Sequence, residues 1–241
     1  MSRNVLITGA GGIGQACIKR FVENGDHVIV IDCFEKSIEA CKEIDEAIDG
    51  YVFDLSKTSQ IENIVKSILD DQKHIDVLVQ TAGIMASGDA LTITPDKFRQ
   101  LMNVNVESLF FMMQQVVKQY MAEHGGVIVN FASEAAIRGF TGPMAGVHYS
   151  ASKGAVISMS KQLAVEWGHH KIRVNSICPG GVLTPAMEKM GFDEDLSNIP
   201  LQKLSKPQDI ADTVFYLCST YAKMITGQNI VVDGGCAAVG C

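Results

Sequence analysis

No stretch of this chain approaches the roughly 20 consecutive apolar residues that span a bilayer. Its first residues, Met1 to Gly9, lack the apolar core of a secretory signal. There is no basic excess: Lys and Arg number 20 against 27 Asp and Glu. The net charge of -7 leaves no cationic surface for nucleic acid or an anionic membrane. The 7 cysteines include no C-x-x-C pair, and no Cys/His spacing matches a zinc site. They are expected to be reduced thiols, mostly packing as small hydrophobes, with no metal. Internal repeats, low-complexity tracts and Pro/Ser-rich linkers are also missing, so one domain over residues 1–241 is expected, in the cytoplasm.

What is present is a globular composition. The chain is 47% hydrophobic and 20% charged, and 241 residues suffice for a substantial core. Strand-like runs alternate with helical ones: Val5–Thr8, a helix from Gly12 to Asn24, Val28–Asp32, a helix over Glu35–Ala47, then Tyr51–Asp54. Ser59 and Glu62 form a capping-box pattern that starts a helix running to Gln72. Strands Val77–Gln80 and Val127–Phe131 flank a long helical tract opened by Pro95. A helix over Val147–Gly168, a strand Arg173–Cys178, a helix from Pro207 to Leu217 and a strand Asn229–Val232 complete the series. Parallel strands need crossover connections, so this alternation predicts an α/β fold: a doubly wound parallel β-sheet with helices on both faces.

The first strand runs into Gly9, Gly11, Gly12, Ile13 and Gly14 and then into a helix. Gly9, Gly11 and Gly14 fit G-x-G-x-x-G, the dinucleotide-binding fingerprint of Rossmann-type folds. Such a turn is tight, its backbone approaches a pyrophosphate, and the helix N-terminus favours the anion. A lone glycine triplet is weak, but Asp32 ends the second strand 18 positions after Gly14. A carboxylate there accepts the adenosine ribose hydroxyls and repels a 2′-phosphate; with Cys33 and Phe34 beside it, NAD is expected over NADP.

Tyr149 and Lys153 stand at i and i+4, on one face of a helix. A phenol of pKa about 10 is a poor base at neutral pH, and a cation within ~4–6 Å is expected to lower that value. Chance supplies roughly one such pair in three chains of this composition, so the pair gains weight only from its surroundings.

Those surroundings resemble the short-chain dehydrogenase/reductase family, in its compact single-domain branch, from the glycine loop to Gly227–Gly235. The resemblance implies that Ser133, ending Val129–Ser133, holds the substrate oxygen beside Tyr149. It implies that Asn105, in Met102–Val106, anchors a water of the proton relay, and that Lys153 binds the nicotinamide ribose and feeds that relay. Asp54 and Leu55 then lie near adenine, Ala82 and Gly83 follow the fourth strand, and Pro179, Gly180, Val182 and Thr184 hold the nicotinamide end. The implied activity interconverts a secondary alcohol (polyol, sugar or steroid-like) and its ketone, with Tyr149 as general acid/base. Two alternatives remain: a 3-oxoacyl thioester reductase, whose family segment resembles Pro200–Ile210, and a dinucleotide-sensing regulator without catalysis.

Three departures from the family pattern stand out. The glycine loop Thr8–Gly14 is one residue short, the family's N-A-G reads Thr81-Ala82-Gly83, and Ser133 and Tyr149 are 16 apart, about three more than usual. The added residues fall in Arg138–Gly146, read as a specificity loop. A short substrate lid is expected over about 185–206, with Met187, Met190, Phe192 and Leu196 among Glu188, Asp193, Glu194 and Asp195. His148 is expected to pack internally or face solvent rather than touch substrate. Helix 147–168 carries Val156, Met159, Leu163, Val165 and Trp167 on more than one side. A homo-oligomer is therefore expected, the tetramer that the family implies ahead of a dimer, acting on a small-molecule alcohol or carbonyl.

Overall fold

Consecutive apolar residues in the strands point to opposite sides, and here both sides are buried. Val5 and Ile7 join one core with Val28, Val30, Val77 and Val79; Leu6, Ile29, Ile31 and Leu78 join a second core across the sheet. That two-sided burial is why the strands read as near-continuous apolar runs. The computed structural model describes residues 2–141, 146–185, 187 and 196–239. Strands β1 (Asn4–Thr8), β2 (His27–Asp32), β3 (Asp49–Val52), β4 (Val77–Gln80), β5 (Gly126–Phe131), β6 (Ile172–Pro179) and β7 (Asn229–Val232) form one sheet. Every pairing is parallel, in the order β3-β2-β1-β4-β5-β6-β7.

Helices α1 (Gly12–Glu23) and α8 (Pro207–Cys218) pack on the first core, with α2 (Glu35–Lys42) beside them. Helices α3 (Ile61–Gln72), α5 (Ser108–Val116) and α7 (Val147–Trp167) cover the second. The chain leaves β1 toward β2 and β3, then returns to lay β4 on the other side of β1. The order therefore reverses between β1 and β4, where a doubly wound sheet opens a crevice at its strand C-termini.

The tract opened by Pro95 is one helical path with two widened turns. Helix α4 (Pro95–Met102) passes through a π turn (Asn103–Glu107) into α5, then through a second (Val117–Met121) into α6 (Ala122–His124). Thr94 caps it by accepting the Lys97 N–H, and Pro95 occupies the first turn, where no N–H is needed. Among the described residues no helix is long and apolar enough to cross a membrane.

Three boundaries differ by more than one residue from the sequence expectation. Strand β3 forms over Asp49–Val52 rather than Tyr51–Asp54, because Asp54 accepts the Ser56 N–H in a turn that ends it. The Ser59–Glu62 capping box is replaced by a 3-10 turn (Thr58–Gln60), and α3 starts at Ile61 without a side-chain cap. Helix α2 stops at Lys42, and the amides of Ile44 and Asp45 turn back to the Cys41 carbonyl.

Beneath the strand ends a buried polar chain joins β4, β5 and α7. Gln80 donates to Asn130 Oδ1 at 2.9 Å, and Asn130 donates to Ser160 Oγ at 2.9 Å. Ser160 in turn donates to the Val156 carbonyl at 2.7 Å. Fully paired, such a chain fixes the register of α7 against the sheet.

Candidate active site

Every residue singled out as catalytic or cofactor-binding lies at or just beyond the C-terminal end of a strand, or on the helices facing those ends. After β1, Gly9 takes φ +86°, and a Cβ there would stand 2.8 Å from Ala82. A Cβ on Gly14 would overlap the Gly9 carbonyl, so α1 can sit this close to the loop only without side chains. At Gly11 a Cβ would meet nothing within 4 Å, leaving the outer face of the turn open. Gly11 is the N-cap of α1 and supplies no side-chain cap, so the unpaired amides of the first turn, Gly12 to Gly14, suit an anion. Ile13 packs on the first core and aims that turn.

Asp32 is bound to the same loop. Its Oδ2 accepts the Ala10 N–H at 2.8 Å, and its Oδ1 accepts the Phe34 N–H at 2.9 Å. Each oxygen keeps a lone pair for a further donor. Asp54 and Leu55 follow β3, with Leu55 on the second core. Thr81, where the family has Asn, still braces the loop: its hydroxyl lies 2.9 Å from the Thr8 carbonyl and 2.8 Å from that of Gly9. After β6, Val182 bridges to Ser205, and Thr184 leans on Gly12, whose Cβ would be 3.2 Å from its methyl. Gly180 backs on Asp233. This open, glycine-lined, anion-favouring crevice with a carboxylate at its far end fits a nicotinamide dinucleotide.

The four proton-transfer candidates converge across the crevice. Ser133 follows β5 and its hydroxyl lies beside Tyr149, which stands in the first turn of α7. Lys153 lies one turn on, 6% exposed, with its Nζ donating to the Phe131 carbonyl at 2.7 Å and lying 5.8 Å from the Tyr149 ring centre. Asn105, in the π turn, donates to the Ile84 carbonyl at 2.9 Å and to Ser152 Oγ at 3.2 Å. Its Oδ1 accepts the Ile84 N–H at 2.8 Å. Gly83 separates Asn105 from Lys153: a Cβ there would be 3.2 Å from Asn105 Oδ1 and 3.4 Å from Lys153 Nζ. His148 packs inward, 2% exposed, with no hydrogen-bond partner for its Nδ1.

The expected lowering of the Tyr149 pKa by Lys153 is not what the structure holds. Burial pushes the phenol above its ordinary value; the Ser133 hydrogen bond pulls it down, and Cys178 and Glu134 push it up. Burial also pushes the Lys153 amine down to about 8, and the amine is committed to a backbone carbonyl. In the free protein the phenol is therefore held protonated, because desolvation outweighs the neighbouring cation.

A family model described as enoyl-(acyl carrier protein) reductase matches residues 8–237. A 3-oxoacyl-[acyl-carrier-protein] reductase of Thermotoga maritima is 34% identical over 238 residues, covering 95% of this chain and 96% of its own. The chain belongs to the short-chain dehydrogenase/reductase family. A second relative of this kind, the NAD-dependent glycerol dehydrogenase of Listeria innocua, is 32% identical over 236 residues, covering 95% of this chain and 92% of its own. The solved structure of ElxO with NADP bound superposes with a TM-score of 0.92 at 30% identity, over 99% of this chain and 100% of that one. This short-chain dehydrogenase/reductase is an oxidoreductase that uses a nicotinamide dinucleotide.

Sequence reasoning missed two groups at the site. Ser152 joins Asn105 to α7 by accepting from its amide while donating to the Tyr149 carbonyl at 2.8 Å. Glu134 lies buried beside Ser133, and the i, i+4 spacing to Arg138 was the available signal. Part of the lid (Glu188, Met190, Phe192 and Asp193 to Asp195), residues 142–145 of the specificity loop, and Cys241 lie outside the described residues.

Proposed function

We propose that this chain is an NAD-dependent dehydrogenase that interconverts a secondary alcohol, of polyol, sugar or steroid-like type, with its ketone. The observation that carries the reading is the meeting of Ser133, Tyr149, Lys153 and Asn105 at the mouth of one glycine-lined crevice. The dinucleotide, when bound, supplies or accepts the hydride. Gly9, Gly11, Gly12, Ile13 and Gly14 hold its pyrophosphate, Asp32 the adenosine ribose, and Asp54 and Leu55 flank adenine. Ala82, Gly83, Pro179, Gly180, Val182 and Thr184 hold the nicotinamide half together with Lys153. Ser133 holds the substrate oxygen by a hydrogen bond. Tyr149 donates its phenolic proton to a carbonyl oxygen or takes one from an alcohol. Lys153 feeds the relay that replenishes that proton, and Asn105 anchors a water of that relay.

Asp32 supports NAD over NADP, because a 2′-phosphate would face its carboxylate while no Lys or Arg stands in the loop or at residues 33 and 34. A second reading, reduction of a 3-oxoacyl thioester, is favoured by the Thermotoga maritima relative. Absorbance assays of NADH and NADPH oxidation against ketones and 3-oxoacyl thioesters decide between them; thioester turnover alone would replace the first reading by the second. Exposed Val147 and Val165 on the outer face of α7, opposite buried Val156 and Leu163, support a homo-oligomer, a tetramer before a dimer. Sedimentation of a monomer at working concentration would contradict that.

A further inference from the structure

The chain leaving β3 is gripped through one peptide after another. Asp54 Oδ1 accepts the Ser56 N–H at 2.9 Å, and the Asp54 carbonyl accepts the Lys57 N–H at 3.0 Å. The Ser56 carbonyl in turn accepts from Asn103 Nδ2 at 3.1 Å. Two residues on, the Thr58 hydroxyl donates to Glu107 Oε1 at 3.2 Å. Asn103 and Glu107 open and close the π turn, and Asn105 lies between them, its amide reaching Ile84 and Ser152 instead. Side chains four apart on a helical path share a side, whereas those two apart do not. One widened turn therefore holds the segment after β3 with its first and last residues and the helix of Tyr149 with its middle one.

Asn103 makes its bond to Ser56 while leaving its other polar atom unsatisfied. Its Oδ1 is buried with no hydrogen-bond partner among the described residues, and a buried acceptor left unpaired is destabilising. Leucine, branched at the same carbon, would fill the place with nothing unpaired. Asp54, by contrast, is an exposed carboxylate, free to sample several rotamers unless it is held. The one bond that Asn103 makes fixes the peptide that fixes that carboxylate. We infer that Asn103 is a positioning residue for the adenosine end of the cofactor: through Ser56 it sets the turn after β3, and with it the Asp54 carboxylate that flanks adenine.

Resting as it does on the proposed placement of adenine beside Asp54 and Leu55, the effect is confined to one half of the dinucleotide. Asn103 touches no reacting atom, and the groups proposed for the nicotinamide half follow β4 and β6 or stand on α7, away from the turn after β3. Loss of the Asn103 amide therefore loosens the adenosine half and leaves the nicotinamide half as it is. General damage to the fold would weaken both halves together.

The test needs no turnover. ADP-ribose, which carries the adenosine half and the pyrophosphate without nicotinamide, is titrated calorimetrically into the parent protein and Asn103→Leu. Reduced nicotinamide mononucleotide, followed by its fluorescence, is the second probe. In Asn103→Leu the dissociation constant for ADP-ribose is expected to rise roughly fivefold, while that for the mononucleotide stays within about twofold. The melting temperature is expected not to fall, because the unpaired Oδ1 is gone. Unchanged ADP-ribose affinity, or an equal loss for both probes, overturns the inference. If the larger leucine prevents folding, Asn103→Ala removes the same donor without adding bulk, and the same outcomes decide. A parent protein that binds the mononucleotide but not ADP-ribose would take adenine away from Asp54, and the proposed cofactor site with it. Weakened ADP-ribose binding in a protein that turns over no carbonyl would sink the proposed function and leave the role of Asn103 standing.

Discussion

Asn105 and Ile84 are bound to each other twice, the Asn105 amide donating to the Ile84 carbonyl at 2.9 Å and accepting its N–H at 2.8 Å. The π turn Asn103–Glu107 aims that amide inward, where it also reaches Ser152 on α7. Asn105→Ala removes both bonds to the backbone of the exposed Ile84 and the one to Ser152, each contributing about 0.5–1.5 kcal/mol. A lower midpoint in thermal unfolding and slower turnover are expected together. A variant as stable as the parent would mean that the double bond to Ile84 contributes nothing.

Two glycines of the same loop should differ in whether their loss costs stability. Gly14→Ala drives a Cβ into the Gly9 carbonyl, so the loop must shift, at a cost of about 1–3 kcal/mol in stability as well as cofactor affinity. Gly11→Ala meets no protein atom within 4 Å and should fold normally. Its methyl then projects where the pyrophosphate is proposed to lie, so NADH affinity should fall by about tenfold. Titration of NADH into both variants, alongside their melting curves, separates the two effects.

Asp32→Asn keeps an acceptor for one loop amide but removes the charge that repels a 2′-phosphate. The ratio of kcat/KM for NADH over NADPH should fall by about tenfold or more. A parent protein that uses both cofactors equally would refute the role given to Asp32.

Lys153 makes a pH-dependent contribution whose sign follows from its burial. Its amine is pushed down to about 8 from 10.5, so between those values the folded protein holds fewer protons than the unfolded chain, and stability rises with pH. Below about 8 the fold must bury an ammonium. Lys153→Met should thus raise the free energy of unfolding at pH 7 by about 1–2 kcal/mol, net of the lost bond to Phe131, while abolishing turnover. The gain should shrink as the pH approaches 10; a gain that grows with pH would reverse the assignment.

Much of this site was legible before any coordinates, because its residues sit at strand ends that apolar runs mark clearly. Asp32, Ser133 and Gly9 to Gly14 are of that kind. Strand β3 was misplaced by two residues because it lies at the edge of the sheet and exposes Val52 by 55%, so its pattern lacks the two-sided burial of the inner strands. The π turn under Asn105 leaves no trace in periodicity, since it adds one residue to an otherwise helical path. The direction of the Tyr149 shift was misread for a different reason. The i+4 spacing places a cation nearby, but only the packed structure shows that burial is the larger effect and that the amine is turned to Phe131.

The central claim is that Tyr149 moves the proton at the substrate oxygen, and Tyr149→Phe tests it most directly. Once a turned-over carbonyl is found, turnover of this variant should fall by at least ~10²-fold while the dissociation constant for NADH, read by fluorescence titration, stays within about twofold. A variant that keeps full activity with unchanged NADH binding would remove Tyr149 from the chemistry.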